Sequence, residues 1–439
     1  MILRINNLGV IERAEINISK PFIVFTGPNG TGKTYLSYLL DELPVNFGGT
    51  LLTIIRKDKS GVLSSMFDPS VFQKKQVFKG KLDAKVLYDL YKKVVKSASA
   101  HILSALNLQL IEAEDFSIEI VTSYEEWEKE LLGQRLNCGF FLRLEKDPGT
   151  FDFTVTAISG YDPQSGSKED DNIFEMALFF NSIFFSGAAN STMFTAERTG
   201  IAVFSKEISV KRLMDNQQVF PRYPRAISRG LASAEDRVTH MKYSTDFIDL
   251  ADQIEKSILK GKIITTPQGE LRYRSHGDSF EIASSSSTVK ALAELIFYIR
   301  HRAAKMSRLV IDEPEIHLHP DNQLIITRVF ARMVNRGLQL IISTHSDYII
   351  RELNNLIMLN YVGKDFHSKA AELGYKQKEE FLDASLIQPY LFQWNSDGRV
   401  VTEPISVGQD GFAVNSIDKA IAGLNDSAQA IYCAMIENA

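Results

Sequence analysis

The stretch from Phe22 to Leu40 restricts the folds open to this chain more than any other. An apolar run, Phe22 to Thr26, leads into Gly27-Pro28-Asn29-Gly30-Thr31-Gly32-Lys33-Thr34, and Tyr35-Leu36-Ser37-Tyr38-Leu39-Leu40 follows. A buried strand, a glycine turn and an apolar helix in that order make a βα unit. The turn matches the G-x-x-x-x-G-K-[ST] pattern in full, in the strand-to-helix setting that the pattern requires. Glycines let backbone N–H groups turn toward a phosphate, and the helix start adds partial positive charge. The expected phosphate contacts are Asn29, Gly30, Thr31, Gly32, Lys33 and Thr34. Lys33 would reach the β- and γ-phosphates, and the Thr34 hydroxyl would hold magnesium. ATP and Mg2+ are therefore the expected cofactors. A ligand-free glycine turn is the competing reading, and it leaves the agreement of both flanks unexplained.

Two further strand ends carry chemistry. Arg308-Leu309-Val310-Ile311-Asp312-Glu313-Pro314 delivers adjacent carboxylates to a strand's C-terminal end, where ligands bind in open α/β sheets. Asp312 would hold magnesium through water, and Glu313 would orient and polarise the attacking water. Leu340-Ile341-Ile342-Ser343-Thr344-His345-Ser346 places His345 to contact the γ-phosphate. A lone histidine is more often structural. The strand–helix–strand spacing after Asp312 and Glu313 favours the functional role here.

Composition sets the outer limits. The chain has 439 residues, 44% hydrophobic and 23% charged, which excludes collagen-like, disordered and coiled-coil-only architectures. Its two cysteines, Cys138 and Cys433, give neither a disulfide framework nor a zinc site, and a reducing cytoplasm is the expected location. No run of about 18 apolar residues occurs, so no membrane span is expected. The net charge of -5 argues against a whole-surface nucleic-acid binder, and direct DNA binding stays open.

The coarse pattern divides the chain into residues 1–50 with the P-loop, an inserted region 51–275, and residues 276–439 with the remaining motifs. The insertion is read as mostly helical with some strands that complete part of the core. Leu82 to Ile111 carries apolar residues at helical spacing (Val86, Leu90, Val94, Ala98, Ile102). Phe116 to Thr122, Gly139 to Glu145 and Phe151 to Ile158 read as strands. Tyr161 to Asn172 reads as a loop, Ile173 to Phe185 as a buried helix and Leu231 to Leu259 as helical. Lys262 to Thr266 and Glu270 to Arg274 read as paired strands around Pro267-Gln268-Gly269. Val401 to Val407 and a helix from Ile417 to Leu424 read as the close of the core.

With these residues in place, Gly27 to Thr34, Leu309 to Pro314 and Ser343 to Ser346 resemble the ATPase heads of the ABC class in its SMC/RecF/OLD-like branch. Asp312-Glu313-Pro314-Glu315-Ile316-His317-Leu318-His319-Pro320 is similar to the Walker B and D-loop of OLD-like ATPases of prokaryotic anti-phage defence. Thr344 to Ile350, Leu353 to Ile357 and Ala196-Glu197-Arg198 are similar to the same group, within which the ATPase subunits of the PARIS and Septu systems are nearest. The resemblance implies an α/β fold: an ABC-type P-loop ATPase head, a mixed sheet flanked by helices, split by the insertion. It also implies a second nucleotide contact from the opposite subunit, made by a Ser-Gly signature. The matching stretch here is Ser284-Ser285-Ser286-Ser287-Thr288-Val289, with Thr288 at the glycine position. Ser286 and Ser287 are the expected contacts, and a plain helix N-cap is the alternative. A working signature requires a head-to-tail dimer or larger homo-oligomer.

Other features weigh less. His317 and His319 fit a D-loop contact better than metal ligation. Phe220-Pro221-Arg222-Tyr223-Pro224-Arg225, with Arg229, interleaves aromatics and cations, and an exposed loop or subunit contact is favoured over a nucleic-acid patch. Gln73 and Gln76 are candidate Q-loop residues. Residues 346–439 contain no Asp-x-Asp, so the Toprim nuclease of OLD-type proteins is not expected in this chain. The resemblance then implies a sensor and scaffold ATPase controlling a separate effector, a Toprim-type or other nuclease, with a phage-encoded protein as trigger. A RecF/SMC-like DNA-clamping ATPase is the alternative, and an idle scaffold that ATP merely locks is a third reading.

Overall fold

The structure is a computed structural model that describes residues 1–57, 77–106, 115–131, 135–137, 140–147, 150–157, 184–185, 191–204, 224–225, 227, 237–363, 366–375 and 377–437. The chain opens with β1 (Ile2–Leu8), β2 (Ile11–Asn17), β3 (Phe22–Thr26) and α1 (Lys33–Arg56). Next come β4 (Val77–Asp83), α2 (Ala84–Ala105), β5 (Ser117–Ile120), α3 (Tyr124–Leu131), β6 (Arg135–Asn137), β7 (Phe140–Asp147), β8 (Thr150–Ala157) and β9 (Ser191–Phe194). After these lie α4 (Ile248–Ile254), β10 (Lys262–Thr265), β11 (Leu271–Ser275), β12 (Asp278–Glu281), α5 (Ser287–His301), β13 (Arg308–Asp312), α6 (Pro320–Asn335), β14 (Gln339–Ser343) and α7 (Asp347–Tyr361). The chain closes with α8 (His367–Glu372), β15 (Ile387–Trp394), β16 (Val400–Pro404) and α9 (Asn415–Glu437).

Among the described residues, nine strands form one sheet in the order β5-β1-β2-β16-β15-β3-β14-β13-β9. β15, β3, β14, β13 and β9 run parallel, whereas β1 pairs antiparallel with β2 and β5, and β15 with β16. The sheet is therefore mixed, with helices on its faces: an α/β fold, as the motifs imply. β5 and β9 come from the 51–275 region and take the two edges. β4, β8, β7 and β6 form a separate antiparallel sheet, and β10 to β12 another.

Every residue of β3, β13 and β14 is buried. Successive strand side chains point to opposite faces, so a strand covered on both sides feeds two cores. Ile23, Phe25, Val310 and Ile341 join one apolar cluster with α1 and α2. Phe22, Val24, Leu309, Ile311, Leu340 and Ile342 join the other, with α4 to α7. Each fully buried side chain of this size stabilises the fold by about 1.5–3 kcal/mol, which is why the motif-bearing strands take the middle of the sheet.

One buried cation belongs to this framework. Pro44 lies inside α1 and cannot donate to the carbonyl four residues before it, that of Leu40. Arg308, 1% exposed at the start of β13, donates to that carbonyl at 3.4 Å and to Gln339 Oε1 at 3.1 Å. Its guanidinium also lies 5.5 Å from the Phe185 ring centroid. Burial pushes the guanidinium down to about 10, while Asp41 holds it up.

Several expected elements differ in extent. Leu231 to Leu259 is not one helix: residues 237–240 are helical, and α4 begins only at Ile248. The Thr245 hydroxyl donates to Ile299 O at 2.5 Å and accepts from Phe247 N at 3.1 Å, giving the backbone a local alternative to the helix. The helix expected to end at Leu424 runs on to Glu437. The expected loop 161–172, nearly all of the expected helix 173–185, Gln73, Gln76, Phe220 to Tyr223 and Arg229 lie outside the described residues. Among the described residues no helix is long and apolar enough to cross a membrane.

Candidate nucleotide site

β14 lies between β3 and β13, all three parallel, with Phe25, Ser343 and Asp312 in register. Their C-terminal ends therefore bring the three motifs together. After β3 the chain turns at Gly27 (φ 136°), where a Cβ would stand 2.3 Å from Phe392 O, so only glycine fits against β15. Gly32 (φ 84°) is pressed by Ile11, whose Cγ1 would lie 3.0 Å from an added Cβ. The first backbone bond of the α1 turn runs from Leu36 N to Gly32 O at 3.0 Å, and the amides before it lack helical partners. Thr31 is buried, and its hydroxyl donates to Pro28 O at 2.8 Å.

The Lys33 ammonium is held across this turn, donating to Pro28 O at 2.7 Å, Gly27 O at 3.0 Å and Thr31 Oγ1 at 3.3 Å. Burial lowers its pKa to about 8, against the pull of Asp312, Glu313 and Glu315. Thr34 Oγ1 donates to Asp312 Oδ2 at 2.8 Å. Asp312 Oδ1 accepts from Ser343 Oγ. Burial raises the Asp312 pKa, which those hydroxyls oppose.

Glu313 sits in the left-handed region (φ 47°), which costs a non-glycine residue on the order of 1–3 kcal/mol. The conformation is held by Glu313 N donating to Ser343 O at 3.0 Å. It leaves one carboxylate oxygen 4.0 Å from His345 Nε2. Burial, and next the Lys33 charge, lower the His345 pKa and favour the neutral ring.

Two residues hold this arrangement in ways that sequence reasoning did not assign. Arg198, from the Ala196-Glu197-Arg198 segment, is 7% exposed and donates to Asp312 O and Glu313 O, each at 2.9 Å, and to Thr195 O at 3.2 Å. It clamps the acidic turn by its backbone, and its hydrogen bonds are not those of a pair with Glu197. Glu197 instead takes the hydroxyl of buried Tyr38. Glu315 Oε1 accepts from His345 N at 2.7 Å and Thr344 Oγ1 at 2.9 Å, while its Oε2 is buried without a hydrogen-bond partner among the described residues. Burial raises the Glu315 pKa. The DEPE phrase displayed Glu315, but nothing local in sequence says that its partners lie after β14.

Ser286 caps α5, its Oγ accepting from Val289 N at 3.3 Å, and both Ser286 and Ser287 are exposed. Thr288 Oγ1 donates to His317 O at 2.8 Å, so the signature-like turn is tied to the D-loop-like segment. No hydrogen bond among the described residues joins residues 284–288 to the P-loop. His319 caps α6, and no group of three or more His, Cys, Asp or Glu side chains among the described residues could hold a metal ion.

The residues present fit a magnesium nucleotide. An added Cβ at Gly30 meets nothing within 4 Å, so the turn is open at that position. Thr34 and Asp312 supply the hard oxygens that magnesium takes.

Residues 206–350 match the family model of the AAA ATPase domain. No curated protein matches the chain. Among solved structures, the chain is similar to an Smc head bound to the C-winged helix domain of ScpA, at 13% identity over 93% of this chain and 98% of that one, TM-score 0.38. An Smc head with an extended coiled coil, bound to the C-terminal domain of ScpA derived from Pyrococcus furiosus, gives 13% identity over 97% and 98%, TM-score 0.36. The SMC head domain from Thermotoga maritima gives 11% over 92% and 98%, TM-score 0.32.

Proposed function

We propose that this chain binds and hydrolyses ATP as an ABC-class ATPase. The carrying observation is the 2.8 Å contact between Thr34 and Asp312, residues 278 positions apart, with Glu313 and His345 beside it. The meeting of these groups from distant segments supports a phosphoryl-transfer reading. Asn29, Gly30, Thr31 and Gly32 present backbone amides to the phosphates, and Lys33 supplies charge to the β- and γ-phosphates. Thr34 and Asp312 would hold magnesium, which neutralises phosphate charge when bound. Glu313 orients the attacking water and takes its proton as the new O–P bond forms and the bond to the ADP oxygen breaks. Neutral His345 donates to a γ-phosphate oxygen.

Exposed Ser286 and Ser287, at the start of α5, fit a contact to nucleotide bound on a second copy, which makes the working unit a head-to-tail dimer or larger. The AAA ATPase-domain match over 206–350 supports the reading. Glu313→Gln should abolish steady-state ATP turnover while retaining ATP binding, and Lys33→Ala should abolish both. Turnover that survives Glu313→Gln would remove the role assigned to that carboxylate.

The 312–320 phrase supports a finer role: sensor and scaffold of an anti-phage complex, controlling a separate nuclease and answering to a phage-encoded trigger. The competing clamp role predicts ATP-stimulated DNA affinity that falls steeply with salt. A filter-binding titration in salt, with and without ATP, decides between them, since flat binding leaves the defence role.

A further inference from the structure

We propose that α9 is a self-association element, the surface on which a second copy of this chain docks. Each of the fifteen positions 422–436 is exposed, so no described position of the helix beyond Ile421 is buried. Helices in folded proteins draw most of their stability from packing an amphipathic face. This one leaves large apolar side chains in water: Leu424 is 71% exposed, Met435 66%, Ile431 64%, Tyr432 64% and Ile436 59%.

Their spacing identifies the occupant. Ile421, Leu424, Ala428, Ile431 and Met435 recur at alternating intervals of three and four, the period of a helix-to-helix seam. Tyr432 and Ile436 widen that seam to roughly 140° of the helix at about 3.6 residues per turn. Gly423, Asp426 and Cys433 fall on the opposite side.

Charge narrows the choice further. Residues 427–436 contain no Asp, Glu, Lys or Arg, so the face offers nothing to a phosphate backbone or a charged partner. A seam of this kind is complementary to itself and closes on a two-fold axis. Its seven seam positions fall short of the roughly 20–30 residues a side of a standard stable interface. The helix pair therefore adds to another contact, and a second copy brings one through the composite nucleotide site. That last step rests on the reading under Proposed function; the exposed seam does not.

The test uses the full chain without nucleotide. Leu424→Glu combined with Ile431→Glu, both at solvent-exposed positions, should weaken self-association in sedimentation equilibrium by at least about tenfold with the far-UV spectrum unchanged. In a background lacking Cys138 and Cys433, Ile431→Cys should form a covalent dimer on mild oxidation, and Asp426→Cys on the far side should not. An unchanged association constant in the double variant overturns the proposal, as does equal cross-linking at both positions. The Ile431→Cys link should persist with Lys33→Ala. If it persists while ATP has no effect on mass in an otherwise unsubstituted chain, the composite-site reading fails and the α9 contact stands.

Discussion

Arg198→Met tests whether the acidic turn is held by its backbone. The substitution keeps much of the side chain's volume and removes two charged-donor bonds of 2.9 Å, to Asp312 O and Glu313 O, and a longer one to Thr195 O. Hydrogen bonds from charged donors contribute about 1.5–3 kcal/mol each. The two short bonds share one guanidinium and are not additive, so we expect a loss of about 3–4 kcal/mol. Whole domains are stable by only about 5–15 kcal/mol, so the change is large. With an m-value near the upper end of the usual range, about 3 kcal/mol/M, the urea midpoint should fall by roughly 1 M. Trp127 and Trp394 report the transition by fluorescence. Function should split: Lys33 and Thr34 are untouched, so ATP affinity changes little, whereas freeing Glu313 from its left-handed conformation lowers kcat by about 100-fold. Arg198→Lys, able to satisfy one carbonyl, should recover about half of the stability. A midpoint within about 0.2 M of the parent together with kcat within about twofold would refute the clamp.

Gly27→Ala should cost more than about 4 kcal/mol and abolish soluble folded protein, because its Cβ would stand 2.3 Å from Phe392 O. Gly30→Ala, with positive φ but nothing within 4 Å, should cost only about 1–2 kcal/mol, and equal thermal melts for the two would contradict the packing argument. Glu315→Leu, which removes the acceptor of His345 N and Thr344 Oγ1, should lower kcat at least about tenfold with ATP affinity retained; Glu315→Gln keeps an acceptor oxygen and should fall between. Arg336 holds Asp249 and Glu379 below their ordinary carboxylate pKa values. A depressed folded pKa stabilises above the unfolded pKa and is lost as pH falls through the folded one. Arg336→Gln should therefore lower Tm near pH 7, and its difference from the parent should begin to shrink below about pH 4 and vanish only once pH has fallen through the depressed folded pKa values; calorimetry across that range is the check.

The nucleotide motifs were legible because each is contiguous. Strand, turn and candidate side chain occupy neighbouring positions, so residue type and hydrophobic period point to them. The clamp was not. Arg198 acts on the carbonyls of residues 114 and 115 positions away, and a carbonyl has no residue type to read. Arg308 is similar: Pro44 announces a freed carbonyl at Leu40, but the donor comes from 268 positions later. Sequence identifies the need in such cases and only the fold identifies the supplier.

Strand order was hidden for a related reason. β15 and β16, late in the chain, insert between β2 and β3, and the backbone of Phe392 in β15 is what makes Gly27 obligatory. The motif points to a phosphate role for this glycine, and the structure adds its service to strand packing. The end of the chain shows the opposite failure. Asn425-Asp426-Ser427 looks like the polar close of a helix after Leu424, yet the helix continues, and the apolar residues past that break return to the same face. A polar triplet on the open side of a helix does not compete with a seam on the other. What distinguishes a helix stop from a helix side is whether the apolar period resumes in phase, and from Ile421 through Met435 it does.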